Sequence, residues 1–205
     1  MKRILILVFL CTNILLAQDG SCPCGETQGK HIRQEVKNRS IPAHLSPARE
    51  TSPSEMIKSW KVPSQNYNRR PEGTFPREDT LMKLTGYLRL FKLSPDDCDY
   101  HLEIAVSDRA DADRIIAEIP NTKEYCDIRQ SFLNDLEEIH GVEAKNKYEF
   151  KETEEPPVVT IIGYPFWDTA HWSKKRLNDE KGTGHGSKKV VTLWEIHPIV
   201  SIQVE

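Results

Sequence analysis

From residue 80 onward the apolar side chains recur first at a period of two, then at a helical period, then at two again. That switch limits the chain to few folds. Residues 81 to 93, LMKLTGYLRLFKL, alternate as a long strand with Met82, Leu84, Leu88 and Leu90 on one face. CDYHLEIAV follows the turn SPDDCD and sets Tyr100, Leu102, Ile104 and Val106 against Asp99, His101, Glu103 and Ala105. RIIAEIP makes a third strand, stopped by Pro120. Asn121 then caps a helix with Glu124 three residues on. Tyr125, Ile128, Phe132, Leu133, Leu136 and Ile139 recur at helical spacing, and Gly141 ends it. The strands VVTIIGY and VVTLWEIHPIVSIQV close the chain. The order β-β-β-α-β-β predicts a mainly β fold, a five-stranded barrel like the oligonucleotide/oligosaccharide-binding (OB) fold over residues 80–205. Gly86 and Gly163 sit mid-strand, where closure needs a bend. A different five-stranded α+β sheet would give the same string.

The N-terminal part reads differently. MKRILILVFLCTNILLAQDG has Lys2 and Arg3 before an apolar run and then small or polar residues, the pattern of a secretory signal over residues 1–18. Cys11 raises a lipoprotein as the rival, but Leu10 before it is not the small residue a lipidation site needs. The expected location is therefore secreted or periplasmic, and nothing later in the sequence is apolar enough to cross a bilayer. Losing Lys2 and Arg3 with the leader moves the formal net charge from −3 to −5, which excludes a polyanion binder acting by bulk charge. Residues 19–79 hold Pro42, Pro47, Pro53, Pro63, Pro71 and Pro76 and read as an irregular arm. One short helix is expected there. Ser52 caps it, Pro53 opens it, Glu55 completes the capping box, and Met56, Ile57 and Trp60 supply a docking face. Of the cysteines left in an oxidising compartment, Cys98 and Cys126 are expected to bridge two core elements. Cys22 and Cys24, in SCPCGE, tether an N-terminal turn or act on metal or thiols.

Several segments together resemble an uncharacterised family of secreted bacterial proteins. They are Asp99-Tyr100-His101-Leu102, Ile116-Ala117-Glu118-Ile119-Pro120, Ile162-Gly163-Tyr164 leading to Phe166-Trp167-Asp168, and Glu195-Ile196-His197-Pro198. Arg33, Val36 and Lys37 match an upstream R-x-x-V-K element. The resemblance runs from about Cys24 to the end. It implies kinship and an OB-like barrel, and no chemistry. The basic loop after the fourth strand is an insertion relative to that family.

Two constellations carry candidate chemistry. Alternation puts His101 with Glu103, and Glu195 with His197, on shared faces, with Glu118 late in the third strand and Asp168 and His171 just after the fourth. In a closed barrel these side chains are expected to converge in a shared hollow. His101, His171, His197 and Asp168 could there hold zinc, iron or manganese, and the metal could activate a water with a spare Glu as base. A hydrogen-bonded Glu–His network satisfies the same groups without any ligand. No spacing matches a recognised metal motif. The second constellation is WSKKRLNDEKGTGHGSKK. Lys174, Lys175, Arg176, Lys181, Lys188 and Lys189 against Asp179 and Glu180 give it a net +4, with Trp172 beside them. Basic residues that hold phosphates beside aromatics that stack on bases suit nucleic acid or another polyanion; a solvated loop is the plainer reading.

The expectation is a binding module of OB type for nucleic acid or another polyanion. A metal-dependent hydrolase or nuclease using the His/Asp/Glu cluster is the alternative, and an envelope protein-interaction module without a small ligand is the third.

Overall fold

The structure, a computed structural model, describes residues 33–45, 47–61, 75–143, 146–171 and 186–205. The expected leader at residues 1–18, Cys22 and Cys24, and Trp172, Lys174, Lys175, Arg176 and Lys181 lie outside the described residues, as does Cys11.

The chain opens with the short helix α1 (Gln34–Lys37), the strand β1 (Arg49–Thr51) and the helix α2 (Pro53–Ser59). A 3-10 turn at Pro76–Asp79 leads into β2 (Met82–Leu93), β3 (Tyr100–Ala105) and β4 (Arg114–Ile119). After α3 (Cys126–His140) come β5 (Lys147–Glu149), β6 (Val158–Trp167) and β7 (Val190–Val204). Strands pair in the order β2-β3-β4-β7-β6, and β6 returns to β2, so the sheet closes into a five-stranded barrel of the expected OB-like kind. Each neighbouring pair is antiparallel except β4 with β7, which is parallel.

Length lets β2 serve both ends of the barrel. Met82–Tyr87 pair with β6 while Tyr87–Leu93 pair with β3, and the register shifts between Leu88 and Leu90. The freed edges are taken by β1, parallel to Met82–Leu84, and by β5, against Leu90–Lys92. The two glycines lie where neighbouring segments pack closely, and not, for Gly86, at a register shift. A Cβ on Gly86 would lie 2.5 Å from Ile104 Cγ2, and one on Gly163 would lie 2.6 Å from the Pro198 carbonyl oxygen, so only glycine lets the chain segments approach this closely.

The interior is filled by Leu84, Leu88, Leu102, Ile104, Ile115, Ala117, Ile161 and Ile196, all buried. Helix α3 adds Phe132, whose ring meets Phe91 edge-on at 5.7 Å, together with Leu136. Gly141 ends that helix in the left-handed conformation at φ 63, as expected. The helix start differs from expectation. Residues Lys123–Tyr125 form a 3-10 turn, Asn121 donates its N–H to Asp99 Oδ1 at 2.7 Å, and Glu124 accepts from the Ile41 N–H. The Glu124 side chain is therefore engaged elsewhere, and the cap position falls on Thr122 and not on Asn121. Ile139, counted in the apolar stripe, is exposed.

The described part of the arm is packed against the barrel. Ser52 Oγ accepts from the Glu55 N–H and Pro53 opens α2, as expected, while Glu55 Oε2 accepts from Thr51 Oγ1 at 3.2 Å. Met56 is fully buried, and Trp60 meets Trp194 edge-on at 5.5 Å. Burying such side chains contributes about 1.5–3 kcal/mol each, which suffices to hold a short helix that would not form alone. The expected Cys98–Cys126 pairing is not made: Cys126 is disulfide-bonded, but Cys98 is not its partner. Cys98 precedes β3 in a left-handed turn at φ 59, and its carbonyl accepts from Arg129 Nη1 of α3 at 2.8 Å. A buried guanidinium thus joins that turn to the helix where a disulfide was expected.

Candidate functional site

Strands β3 and β4 are buried on both faces. Tyr100, Leu102, Ile104, Ile115, Ala117 and Ile119 belong to the core. The alternate positions therefore face away from the barrel interior: His101 and Glu103 on β3, Arg114 and Glu118 on β4, Glu195 and His197 on β7. The registers His101↔Glu118 and Ile116↔Glu195 bring them side by side. The polar groups converge as expected, but on the outer face of the sheet and not in the closed hollow.

That face is roofed by other parts of the chain. Helix α1 supplies Lys37, and Arg33, just before it, pairs with Glu78 and lies 5.0 Å from the Phe75 and Phe166 ring centres. Phe166 in turn stands 5.8 Å from the His197 ring. From the far side the end of the basic loop closes down, with the Ser187 N–H and Oγ each 2.6 Å from a Glu103 carboxylate oxygen.

The contacts run as a chain. Arg114 Nη1 donates to Glu103 Oε2 at 2.9 Å, and Glu103 Oε1 is 3.7 Å from His101 Nε2. His101 Nδ1 is 2.9 Å from Glu118 Oε1. Glu118 Oε2 is 2.9 Å from His197 Nδ1, and His197 Nε2 is 3.4 Å from Asp99 Oδ2. Lys37 Nζ lies 3.5 Å from Asp97 Oδ2 and 3.8 Å from Glu118 Oε2. Asp168 and His171 form a separate pair, in which Asp168 Oδ2 meets His171 Nδ1 while Oδ1 accepts from the Ala170 N–H.

Burial and crowding separate the acidities. Burial, then the charges of Glu118 and Asp97, push the Asp99 carboxyl up to about 8. Burial also works against ionised Glu118, but Lys37 and His101 hold its carboxyl well below the usual range. Burial opposes ionised Glu103 as well, yet the nearby His101 ring and the hydrogen bonds from Ser187 and Arg114 draw it down to about 2. Burial, reinforced by the Lys37 charge, lowers His197. Burial lowers Lys37 too, but the Glu118, Glu195, Asp99 and Asp97 carboxylates outweigh it and raise the ammonium. Beside His197 the Lys37 ammonium thus favours ionised Glu118, while burial and the Glu118 and Asp97 charges favour the protonated form of Asp99.

A cavity of about 280 Å³ opens over this face. Lys37 enters it from the arm, Asp97 from the turn after β2, His101 and Glu118 from the sheet, and Asp168 and His171 from the start of the basic loop. In the OB fold the face of the second and third strands, with the loops after the first and fourth, is where oligomers bind. Here those parts are β3, β4, residues 94–99 and, of the loop after β6, the described residues 168–171 and 186–189.

Sequence reasoning placed His101, Glu103, Glu118, Asp168, His171, Glu195 and His197 in one region, and the structure brings His101, Glu103, Glu118, Glu195 and His197 into contact range. The metal set His101, His171, His197 and Asp168 is not the one whose donor atoms converge. Among the described residues that group is Asp99, Glu118 and His197, with atoms within 4.8 Å of one another. Of the loop cations, Lys188 is exposed and Lys189 half-buried. Lys37, Asp97 and Asp99 were not among the expected site residues. The R-x-x-V-K element was the signal for Lys37, and the acid-rich turn SPDDCD was the signal for the two aspartates.

Comparison with protein-family models, with curated proteins and with solved structures finds no match for this chain.

Proposed function

We propose that the protein is a ligand-binding module of OB type that takes a hydroxyl-rich oligomer, such as an oligosaccharide, in the cleft over β3, β4 and β7. The observation that carries this is the position and lining of the cavity. It sits where the fold presents ligands, and charged groups from separate segments converge on it. Its lining is acid-rich, with Asp96, Asp97, Glu118, Asp168 and Glu195 against Lys37 and Lys92. Carboxylates and imidazoles accept from hydroxyl groups, and Phe166 offers an apolar surface beside them. A bare phosphate chain would meet repulsion here, so nucleic acid or another polyanion would depend on the loop cations alone.

The test is calorimetric titration of the chain without its leader, using neutral oligosaccharides of different linkage and a single-stranded oligonucleotide as comparator. The reading expects saturable sugar binding that weakens at least about tenfold in Glu195→Gln. Salt-sensitive binding of the oligonucleotide with no sugar binding would replace it with the polyanion reading.

One observation favours a second reading, hydrolysis. Asp168 Oδ2 pairs with His171 Nδ1 at the cavity wall, the carboxylate–imidazole arrangement of an oriented general base. Turnover of a bound oligomer that His171→Gln abolishes without loss of affinity would establish it. Along with either reading we propose export to the periplasm or beyond, on the pattern of residues 1–18. Among the described residues no helix is long and apolar enough to cross a membrane.

A further inference from the structure

We propose that Asp99, Glu118 and His197 bind one divalent transition-metal ion at the inner end of the cleft. The inference rests on that cleft being the ligand site and adds a cation to its floor. The donor atoms lie within 4.8 Å of one another, close enough for one ion to gather them with small movements. His197 is wholly buried and points between the two carboxylates. Although its nitrogens stand 2.9 Å and 3.4 Å from their oxygens, neither makes an aligned hydrogen bond. A buried imidazole left in that state is destabilising unless something completes it.

The surroundings are those of an oriented ligand set. The Asn121 N–H holds Asp99 Oδ1 at 2.7 Å, which turns Oδ2 toward His197. His101 Nδ1 holds Glu118 Oε1 at 2.9 Å, which turns Oε2 the same way. Outer partners of this kind fix ligand orientation in metal sites. Two carboxylate oxygens with one imidazole nitrogen suit zinc, manganese or ferrous iron, whereas calcium and magnesium take oxygen ligands. Three protein ligands leave positions open for water or a ligand hydroxyl, and Glu118 forms part of the cavity wall through which an ion can arrive. Lys37 is the competing cation. At 3.8 Å from Glu118 Oε2 and 3.5 Å from Asp97 Oδ2 it has an alternative partner to move toward.

Chelator-treated chain without its leader, titrated with zinc and with manganese chloride in a calorimeter, decides the matter. The expected result is one ion per chain. Binding should weaken about tenfold or more in Asp99→Asn and in His197→Gln, and strengthen in Lys37→Met. No uptake by protein that unfolds cooperatively overturns the proposal, as does uptake unchanged by both ligand substitutions. A buried variant can fail to fold, so wild-type protein loaded with cobalt supplies a second readout. Paramagnetic shifts on the His197 ring protons support the site, and shifts confined to other histidines overturn it. Sugar binding by metal-free protein that takes up no metal would keep the cleft and reject the ion. Metal uptake without sugar binding would do the reverse.

Discussion

Acid titration of Glu103 offers a quantitative check on the electrostatics of the outer face. Its carboxylate is held by Arg114, by the Ser187 N–H and hydroxyl, and by His101 at 3.7 Å, and Arg114 also faces Glu149 at 3.6 Å. These partners lower its pKa from 4.5 to about 2 in the folded chain. A depressed carboxylate stabilises the fold above its unfolded value, and that stability is lost as the pH falls through the folded one. A gap of about 2.5 units corresponds to about 3 kcal/mol at neutral pH, of which about 2 kcal/mol is lost by pH 3. Glu103→Gln removes the titrating group. The stability difference between the wild type and this variant should therefore shrink by about 2 kcal/mol between pH 7 and pH 3. Urea unfolding followed by tryptophan fluorescence at a series of pH values measures it, since Trp167 and Trp194 are buried. Parallel stability curves across that range would show that the Ser187 clamp and the Arg114 pair do not act on Glu103 as the geometry says.

Other perturbations address the framework. Gly163→Ala places a Cβ 2.4 Å from Ile196 Cγ2 and 2.6 Å from a backbone oxygen. It should lower stability by about 1–3 kcal/mol, read as a reduced Tm. Met56→Ala empties a fully buried position between α2 and the barrel and should destabilise by about 2–5 kcal/mol, with earlier proteolysis in the arm. Lys37→Met and Glu118→Gln should be non-additive in denaturant titration, with a coupling of at least about 0.5 kcal/mol; additive losses would place the ammonium out of reach of that carboxylate. Glu78→Gln should loosen the roof of the site, because the buried Glu78 carboxylate pairs with Arg33 and accepts from the Phe75 and Trp167 N–H groups; faster amide exchange at Phe75 and Trp167 is the readout.

The barrel was legible because β2 and β3 alternate and β4, β6 and β7 are apolar-rich runs of six residues or more, and the helix because its apolar stripe is long. The edge strands β1 and β5 have three residues each, too few for any period to register. Alternation also disclosed that Glu195 and His197 share a side, and that His101 and Glu103 do. It did not disclose which side was the barrel interior. On an ordinary half-exposed strand, polarity marks the solvent face, but every residue of β3 and β4 is buried. Their polar face is covered by segments far away in sequence. That covering depends on tertiary contacts of Arg33, Lys37 and Ser187, none of which carries a periodic signal. The expected pairing of Cys98 with Cys126 failed for a related reason, although Cys126 is disulfide-bonded. Cysteine number and compartment suggest bridges, but the left-handed backbone at Cys98 and the guanidinium of Arg129 are facts of position.

The roof explains why so polar a face can hold distinct protonation states. Exposed to water, the carboxylates near His197 would interact weakly and titrate together, because the high dielectric screens each pair. Covered by α1 and Phe166, they interact through a medium of lower dielectric, so one carboxyl is forced up to about 8 while its neighbour stays ionised beside Lys37. The ammonium that makes this possible comes from the arm and not from the barrel. Arg33, one residue ahead of the helix that carries Lys37, is fastened by Glu78 and by the Trp167 carbonyl at 3.0 Å. Trp167 ends β6, and Phe166 beside it packs against His197, so a single set of contacts sets both the cation and the apolar cover of the cleft. A barrel stripped of its arm could keep the closed sheet, yet it would lose the charge that separates Asp99 from Glu118. The arm is therefore part of the site as much as the strands are.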